Sequence, residues 1–341
     1  MKKLKIGVIG CGSIAQHRHL PEYKANPSVE ITAVCDINEE RAKEVAKEFK
    51  AKAYTNFEKL ISSGEVEAVS VCTPNYLHAP ISIAALNAGL HVLCEKPMAT
   101  SKEEADAMIE AAQNSGKTLM IGHNQRFVES HLKAKQMIEE GAIGKVYSFR
   151  TSFGHKGPEG WSVDGKDSWF FNKDKAFIGA MGDLGVHKTD LIRHILGEEI
   201  TEVGAFVETK AKTFGDVDDN AVCVLKTASG VIGTLAASWS YTGKEDNSTI
   251  IYGEKAIIRL EEDPEFSLIV QYTTGETVRY ELGQIQSNEE GGQSNSHVVD
   301  QFVQSIVEDK SSPVSGEEGY KSLSVILAAL ESNETKKITR V

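Results

Sequence analysis

The chain has 341 residues, of which 40% are hydrophobic, 25% charged and 7% aromatic, a balance that supports packed cores and excludes wholesale disorder. Its 37 basic residues face 49 acidic ones, for a formal charge of -12, and no Lys/Arg block stands out. Nucleic acid and anionic membrane both require a basic surface, so neither is expected as the main partner.

The length exceeds what a single core commonly serves, so two domains are expected. The opening MKKLKIGVIGCGSIA places charges before an apolar stretch, but that stretch is short and runs into a glycine turn. Gln16, His17, Arg18 and His19 follow, so it does not read as a signal peptide. No apolar run approaches the length of a bilayer span. Cys11, Cys35, Cys72, Cys94 and Cys223 show no CxxC spacing and read as small buried hydrophobes in a reducing compartment, the cytoplasm.

Along the first third, apolar runs alternate with helix-like periods. The runs are LKIGVIG (4–10), EITAVCD (30–36), AVSVCT (68–73), HVLCE (91–95) and TLMIGH (118–123). The helical segment 101–116 opens on Ser101 with Glu104 three residues on, a capping box, and stops at Gly116. Continuous apolar strands between helices imply a parallel sheet covered on both faces. Ligands of such sheets bind beyond the carboxyl ends of the strands.

The first such end is Gly10-Cys11-Gly12-Ser13-Ile14-Ala15, a GxGxxA form of the dinucleotide turn. Gly10 permits the tight turn, Gly12 lets the backbone approach a pyrophosphate, and Ala15 allows close helix packing. The helix opening near Ser13 and Ile14 directs free N–H groups at the phosphates. Asp36 ends the second strand, where its carboxylate accepts ribose hydroxyls and repels a 2′-phosphate, favouring NAD over NADP. Arg41 reads as a solvated helix residue. The loop Thr73-Pro74-Asn75-Tyr76-Leu77-His78 closes the fourth strand; as a plain sequence it is a turn and helix cap, and beside a dinucleotide Thr73, Asn75 and His78 would line the cofactor.

These residues carry a resemblance. The VIGCGSIA turn with Asp36, then TPNYLH, GLHVLCEKPMA, GHNQRF (122–127) and GDLGVHKTDLIRHILG (182–197), in that order and nearly end to end, are similar to the Gfo/Idh/MocA oxidoreductases. The resemblance implies an N-terminal Rossmann parallel sheet over 1–122. Over 123–341 it implies a second α/β domain, built on a large, mostly antiparallel sheet that carries substrate and subunit contacts in homodimers or homotetramers. Strand-rich stretches at 201–211, 220–241, 248–261 and 266–282 agree with that domain on their own pattern. SNEEGGQSNS (287–296) reads as a polar loop. The implied activity is hydride transfer between NAD(P) and a hydroxyl of a sugar, glycoside or cyclitol.

Such a reaction needs a proton acceptor and a group that steadies charge on oxygen. Lys96, at the tip of the fifth strand, and the pair Asp183 and His187 are the candidates, and the resemblance places all three over the nicotinamide. Asp183 and His187 are four apart and share a face if 182–196 is helical; Gly179, Gly182 and Gly185 weaken the first turn, as for a helix opening against a ligand. His187 titrates near neutrality and is assigned as principal acid/base, Lys96 as hydrogen-bond partner or relay, and Asp183 as substrate anchor; Lys96 and His187 both remain open as the formal base. Asp190 and His194 extend the stripe, but the resemblance implies no metal, and Asp190 reads as structural.

Glu95 either meets the cofactor through its backbone or orients Lys96 by a salt bridge. The Lys96–Pro97 bond is expected to be cis, as in relatives. Arg126 either contacts substrate or pairs with an acid at the domain junction. His155 and Trp161, in the Gly- and aromatic-rich stretch 153–174, either face a pyranose or cyclitol or form a satellite core. Two alternative functions share the cofactor: an enzyme that uses NAD only transiently, to cleave or epimerise sugars, and a non-catalytic NAD or sugar sensor.

Overall fold

The computed structural model describes residues 3–283, 285 and 296–341, and within them fifteen strands form two sheets. The first contains β1 (Leu4–Ile9), β2 (Val29–Cys35), β3 (Lys52–Tyr54), β4 (Ala68–Val71), β5 (His91–Cys94) and β6 (Leu119–Ile121). Their order is β3-β2-β1-β4-β5-β6, with every pair parallel. Val69, Val71, Val92, Leu93 and Cys94 are fully buried, as strands covered by helices on both faces must be. The order reverses beside β1, and the crevice at that reversal is where such sheets hold nucleotides.

The helix Lys102–Ser115 shows how local sequence sets an element. Ser101 Oγ accepts from the Glu104 N–H at 3.1 Å, and Gly116 closes the helix at φ 64°. The Glu104 carboxylate reaches past the cap to the Thr100 N–H and hydroxyl, at 2.9 and 2.7 Å. After β1, the chain enters a π-helical turn at Ala15–His19 and then the helix Leu20–Ala25. Pro21 has no N–H to return to His17, four residues back, so one straight α-helix through this stretch would be broken.

The second sheet comprises β7 (Val146–Gly154), β8 (Ile200–Glu208), β9 (Asn220–Thr227), β10 (Ile232–Ser238), β11 (Thr249–Gly253), β12 (Ala256–Leu260), β13 (Leu268–Tyr272), β14 (Thr277–Tyr280) and β15 (Thr339–Arg340). Its order is β14-β13-β12-β11-β7-β10-β9-β8-β15, antiparallel except where β7 meets β10. β9 alternates cleanly: Ala221, Cys223 and Leu225 point into the second core, while Val222 and Val224 are exposed. Phe206 and Ile232 are exposed as well, on β8 and β10.

The helix Val186–Leu196 is buried along almost its whole length and packs into the second core through Leu191, Ile192 and Ile195. Further on, Val298, Val299 and Phe302 of the helix Val298–Val307 return to the first core. The helix Gly316–Thr335 then spans both cores, giving Leu323 to the first and Val325, Ile326 and Ala329 to the second. Of the polar loop expected at 287–296, only Ser296 lies among the described residues. All five cysteines are buried and free. No helix of the described residues is long and apolar enough to cross a membrane.

Candidate active site

A cavity of about 650 Å³ runs from the β1–β2 edge of the first sheet to the helix Val186–Leu196 of the second domain. At its first end lie Gly10, Gly12, Ser13, Ile14 and Asp36. A Cβ on Gly10, at φ 91°, would stand 2.5 Å from the Cys72 carbonyl oxygen, whereas one on Gly12 would meet nothing within 4 Å. The first glycine is therefore a packing requirement and the second leaves the backbone open to a ligand. The Asp36 carboxylate accepts from the N–H groups of Cys11 and Asn38, each at 2.9 Å, which aims it across the turn. A small cradle, a carboxylate at the second strand end and a helix beginning behind them fit a dinucleotide. Arg41 is not a freely solvated residue. Its guanidinium lies 3.7 Å from Asp36 and 2.7 Å from Asp164 of the second domain.

Thr73, Asn75 and His78 line the middle of the cavity. The buried Thr73 hydroxyl has no partner among the described residues. Asn75 donates to the Ala176 carbonyl at 2.8 Å, across the domain boundary. His78 faces two carbonyls, Pro97 at 2.7 Å and Thr73 at 2.9 Å, so it ties two strand-end loops together. The Lys96–Pro97 peptide is cis. Glu95 does not bridge to the Lys96 ammonium. Its buried carboxylate meets His19 Nε2 at 2.9 Å and Arg18 at 3.3 Å, and accepts from the Lys96 backbone N–H at 3.3 Å. Burial opposes ionisation there, but the His19 bond and the Arg18 charge outweigh it and hold Glu95 well below the usual carboxylate range.

At the far end Lys96, Asp183 and His187 meet in the same cavity. Lys96 Nζ donates to Asp183 Oδ1 at 2.8 Å and to its backbone oxygen at 3.0 Å. Asp183 Oδ2 accepts from Trp239 Nε1 at 3.2 Å, so both carboxylate oxygens already have protein donors. Asp183 sits in a π-helical turn, Met181–Gly185, and His187 on the α-helix that continues from it; insertion of a π turn is a recurrent feature of functional sites. The glycines of this turn serve close packing rather than an opening toward a ligand. A Cβ on Gly179 would fall 1.8 Å from the Asp218 carbonyl oxygen, and one on Gly182 would fall 2.1 Å from Ile178. Buried His187 has no partner for Nδ1 among the described residues. Burial, reinforced by the Lys96 charge, pushes its pKa well below the ordinary imidazole value. It is therefore neutral at pH 7.

His155 and Trp161 both line the cavity. His155 Nδ1 accepts from the Gly157 N–H at 2.9 Å. Trp161 packs edge-on to Phe170, and its buried Nε1 has no partner among the described residues. Arg126 does not reach the cavity. Its guanidinium forms a two-pronged bond to Asp190, at 2.7 and 2.6 Å, and another to Glu318 at 2.8 Å, so the domain-junction alternative describes it, and Asp190 is structural. Sequence reasoning missed Gln125, Asn247 and Trp239. Gln125 and Asn247 line the cavity beside Asn124, and Gln125 Nε2 donates to Asn247 Oδ1 at 3.2 Å. Asn124 Oδ1, Gln125 Oε1 and Asn247 Nδ2 are left buried without partners among the described residues. Gln125 is adjacent to a motif already singled out; Asn247 lies in a loop with no signal of its own.

The family model described as an oxidoreductase family with NAD-binding Rossmann fold, Gfo/Idh/MocA, matches residues 4–123. The Gfo/Idh/MocA C-terminal domain matches residues 131–259. A levoglucosan dehydrogenase of Pseudarthrobacter phenanthrenivorans is 32% identical over an alignment of 292 positions that covers 76% of this chain and 73% of that protein. A myo-inositol 2-dehydrogenase of Thermotoga maritima is 28% identical over an alignment of 344 positions that covers 99% of this chain and 98% of the relative. The solved structure of levoglucosan dehydrogenase in complex with NADH superposes with a TM-score of 0.87 at 28% identity, covering 100% of this chain and 99% of that one. The chain belongs to the Gfo/Idh/MocA oxidoreductases, and its N-terminal part is their NAD-binding Rossmann fold.

Proposed function

We propose that the protein is an NAD-dependent dehydrogenase that oxidises a secondary hydroxyl of a sugar, glycoside or cyclitol. The observation that carries this reading is the convergence of Lys96, Asp183 and His187 in the same cavity as the dinucleotide turn. NAD, when bound, supplies the hydride acceptor. His187, neutral and lining the cavity, takes the hydroxyl proton as general base. The Lys96 ammonium donates to the reacting oxygen and steadies its developing negative charge. Asp183, held by Trp239, fixes Lys96 in that position. Residues 1–122 would carry the cofactor and 123–341 the substrate and subunit contacts.

Two relatives, a levoglucosan and a myo-inositol dehydrogenase, support a polyhydroxylated substrate. So do the amides of Asn124, Gln125 and Asn247 lining the cavity, since amides present both donors and acceptors to hydroxyl groups. The exposed Phe206, Val222, Val224 and Ile232 on the second sheet support a homodimer or homotetramer.

The test is a panel of inositols, free sugars, glucosides and sugar acids, offered with NAD and read by NADH formation. Net NADH with one class, lost in Lys96→Ala and His187→Ala while both still bind NADH, is the expected result. Full turnover in either variant would overturn the assignment. Substrate conversion without net NADH would show the transient-redox chemistry instead.

A further inference from the structure

The second domain sends one segment back across the cavity to the first. It consists of short 3₁₀ turns at Pro158–Gly160, Gly165–Asp167 and Trp169–Phe171. Both ends are anchored in the second domain. Glu159 pairs with Lys212 near one end, and Phe171 packs edge-on against Phe214 and Trp239 at the other, with ring centroids 4.8 and 5.7 Å apart. Between these anchors it touches the first domain at two places. Ser13 Oγ, on the dinucleotide turn, donates to the Trp161 carbonyl at 2.9 Å. Arg41 Nη2 donates to Asp164 Oδ1 at 2.7 Å. Ser13, Arg41, Trp161 and Asp164 all line the cavity.

These contacts fall at the adenosine and pyrophosphate end, not the reacting end. We propose that residues 158–171 form a strap over the bound dinucleotide, and that Asp164 makes it both a retention device and a determinant of cofactor choice. Arg41 is the guanidinium within reach of Asp36, the position where the adenosine ribose hydroxyls lie in this fold. A free arginine there would recruit a 2′-phosphate. Asp164 takes it instead, so Arg41 stands between two carboxylates, 3.7 Å from Asp36 and 2.7 Å from Asp164. Asp167 of the same strap also lines the cavity. A dianionic 2′-phosphate would meet this excess negative charge, whereas a neutral ribose hydroxyl would not. The same ion pair closes the strap, so the dinucleotide leaves only when Arg41 and Asp164 part. The Asp164 side chain is 41% exposed, so the latch can open without disturbing a core.

The test uses Asp164→Asn in the full chain and measures cofactor binding directly. NADH dissociation is followed by stopped-flow fluorescence after displacement with excess NAD, and the affinities for NAD and NADP by calorimetry. Asp164→Asn should release NADH about fivefold faster and raise the NADP-to-NAD affinity ratio about fivefold, the scale of one partly exposed ion pair. Lys135→Ala, on the helix Glu129–Glu139 with its ammonium on Glu139 and outside the cavity, should change neither. In an Arg41→Ala background Asp164→Asn should leave NADH release unchanged, because the latch is already gone. Either quantity unchanged in Asp164→Asn, or an equal effect on NADH release in the Arg41→Ala background, would overturn the proposal.

Discussion

Lys96 Nζ and Asp183 Oδ1 lie 2.8 Å apart and come from different domains, one from the tip of β5 and the other from the π turn ahead of the helix Val186–Leu196. Their side chains are only 13% and 10% exposed, so water screens the pair weakly. Asp183→Asn keeps the shape and removes the charge that orients Lys96. The expected outcome is a kcat lower by about 100-fold, within the range that positioned acid–base groups contribute. NADH affinity, measured by fluorescence titration, should stay within about twofold, because the adenosine end is untouched. A variant with parental kcat would remove Asp183 from the reaction.

Glu95 carries a second prediction, on stability. Its carboxylate is buried with Arg18 and His19, and Arg18 is 2% exposed. Glu95→Gln leaves that guanidinium buried without its counter-charge. Removing one partner of such a pair costs about 3–5 kcal/mol, so urea unfolding should show a midpoint well below the parent's. An unchanged midpoint would mean that the network carries no net stability.

Acid sensitivity follows from the buried histidines. Burial pushes His123 to about 4 and His131 to about 3, against about 6.5 in an unfolded chain. Below about pH 6.5 the unfolded chain therefore binds protons that the folded one refuses, and stability falls as pH drops. Each such site contributes a slope of about 1.4 kcal/mol per pH unit within its window. His194, depressed to about 4, acts in the same direction. Urea midpoints should decline steadily from about pH 6.5 to about pH 4.5; a flat profile would contradict the neutral assignment.

Lys188 lies next to His187 and is fully buried, with its ammonium donating to the Asn247 carbonyl at 2.7 Å. Burial pushes it down to about 7, so between about pH 7 and about pH 10 the unfolded chain holds a proton that the folded chain has shed. Its contribution to stability therefore rises with pH. Above about pH 8.5 buried thiols oppose that gain; Cys11, Cys35 and Cys223 are pushed up to about 12 by burial and stay protonated only in the folded state. Lys188→Met removes a buried charge and should raise stability by about 1–3 kcal/mol near neutrality. The difference between variant and parent should shrink toward about pH 8.5. A destabilised Lys188→Met at neutral pH would show that the Asn247 bond outweighs desolvation.

Much of the fold is legible because the first sheet is made of continuous apolar runs. β4 and β5 can hardly be anything else with Val69, Val71, Val92 and Leu93 all at 0% exposure. β3 escapes notice because Lys52–Tyr54 is short and only half buried. β7, at the centre of the second sheet, is also hard to see. Its Phe149, Thr151 and Phe153 point inward, but Tyr147 is exposed and the polar Ser148, Arg150 and Ser152 interrupt the run. Lys96, Asp183 and His187 are readable because each follows a local motif at an element end. Partners that depend on tertiary approach are not. Nothing local in either segment pairs Arg41 with Asp164 or Glu95 with Arg18, and Arg126 gives no sign by itself of whether it faces the cavity or Asp190.

The return of Val298, Val299 and Phe302 to the first core has a consequence for biosynthesis. Domains commonly fold as they leave the ribosome, the N-terminal one first. Here the nucleotide-binding sheet is translated through β6 while these three side chains, each at 0% exposure in the finished molecule, have yet to be made. The Ile121 N–H likewise waits for the Val314 carbonyl, 3.0 Å away in the folded chain. The nascent first domain must therefore persist with apolar surface uncovered while the whole second sheet is synthesised. Its protection during that interval falls to chaperones or to incomplete compaction.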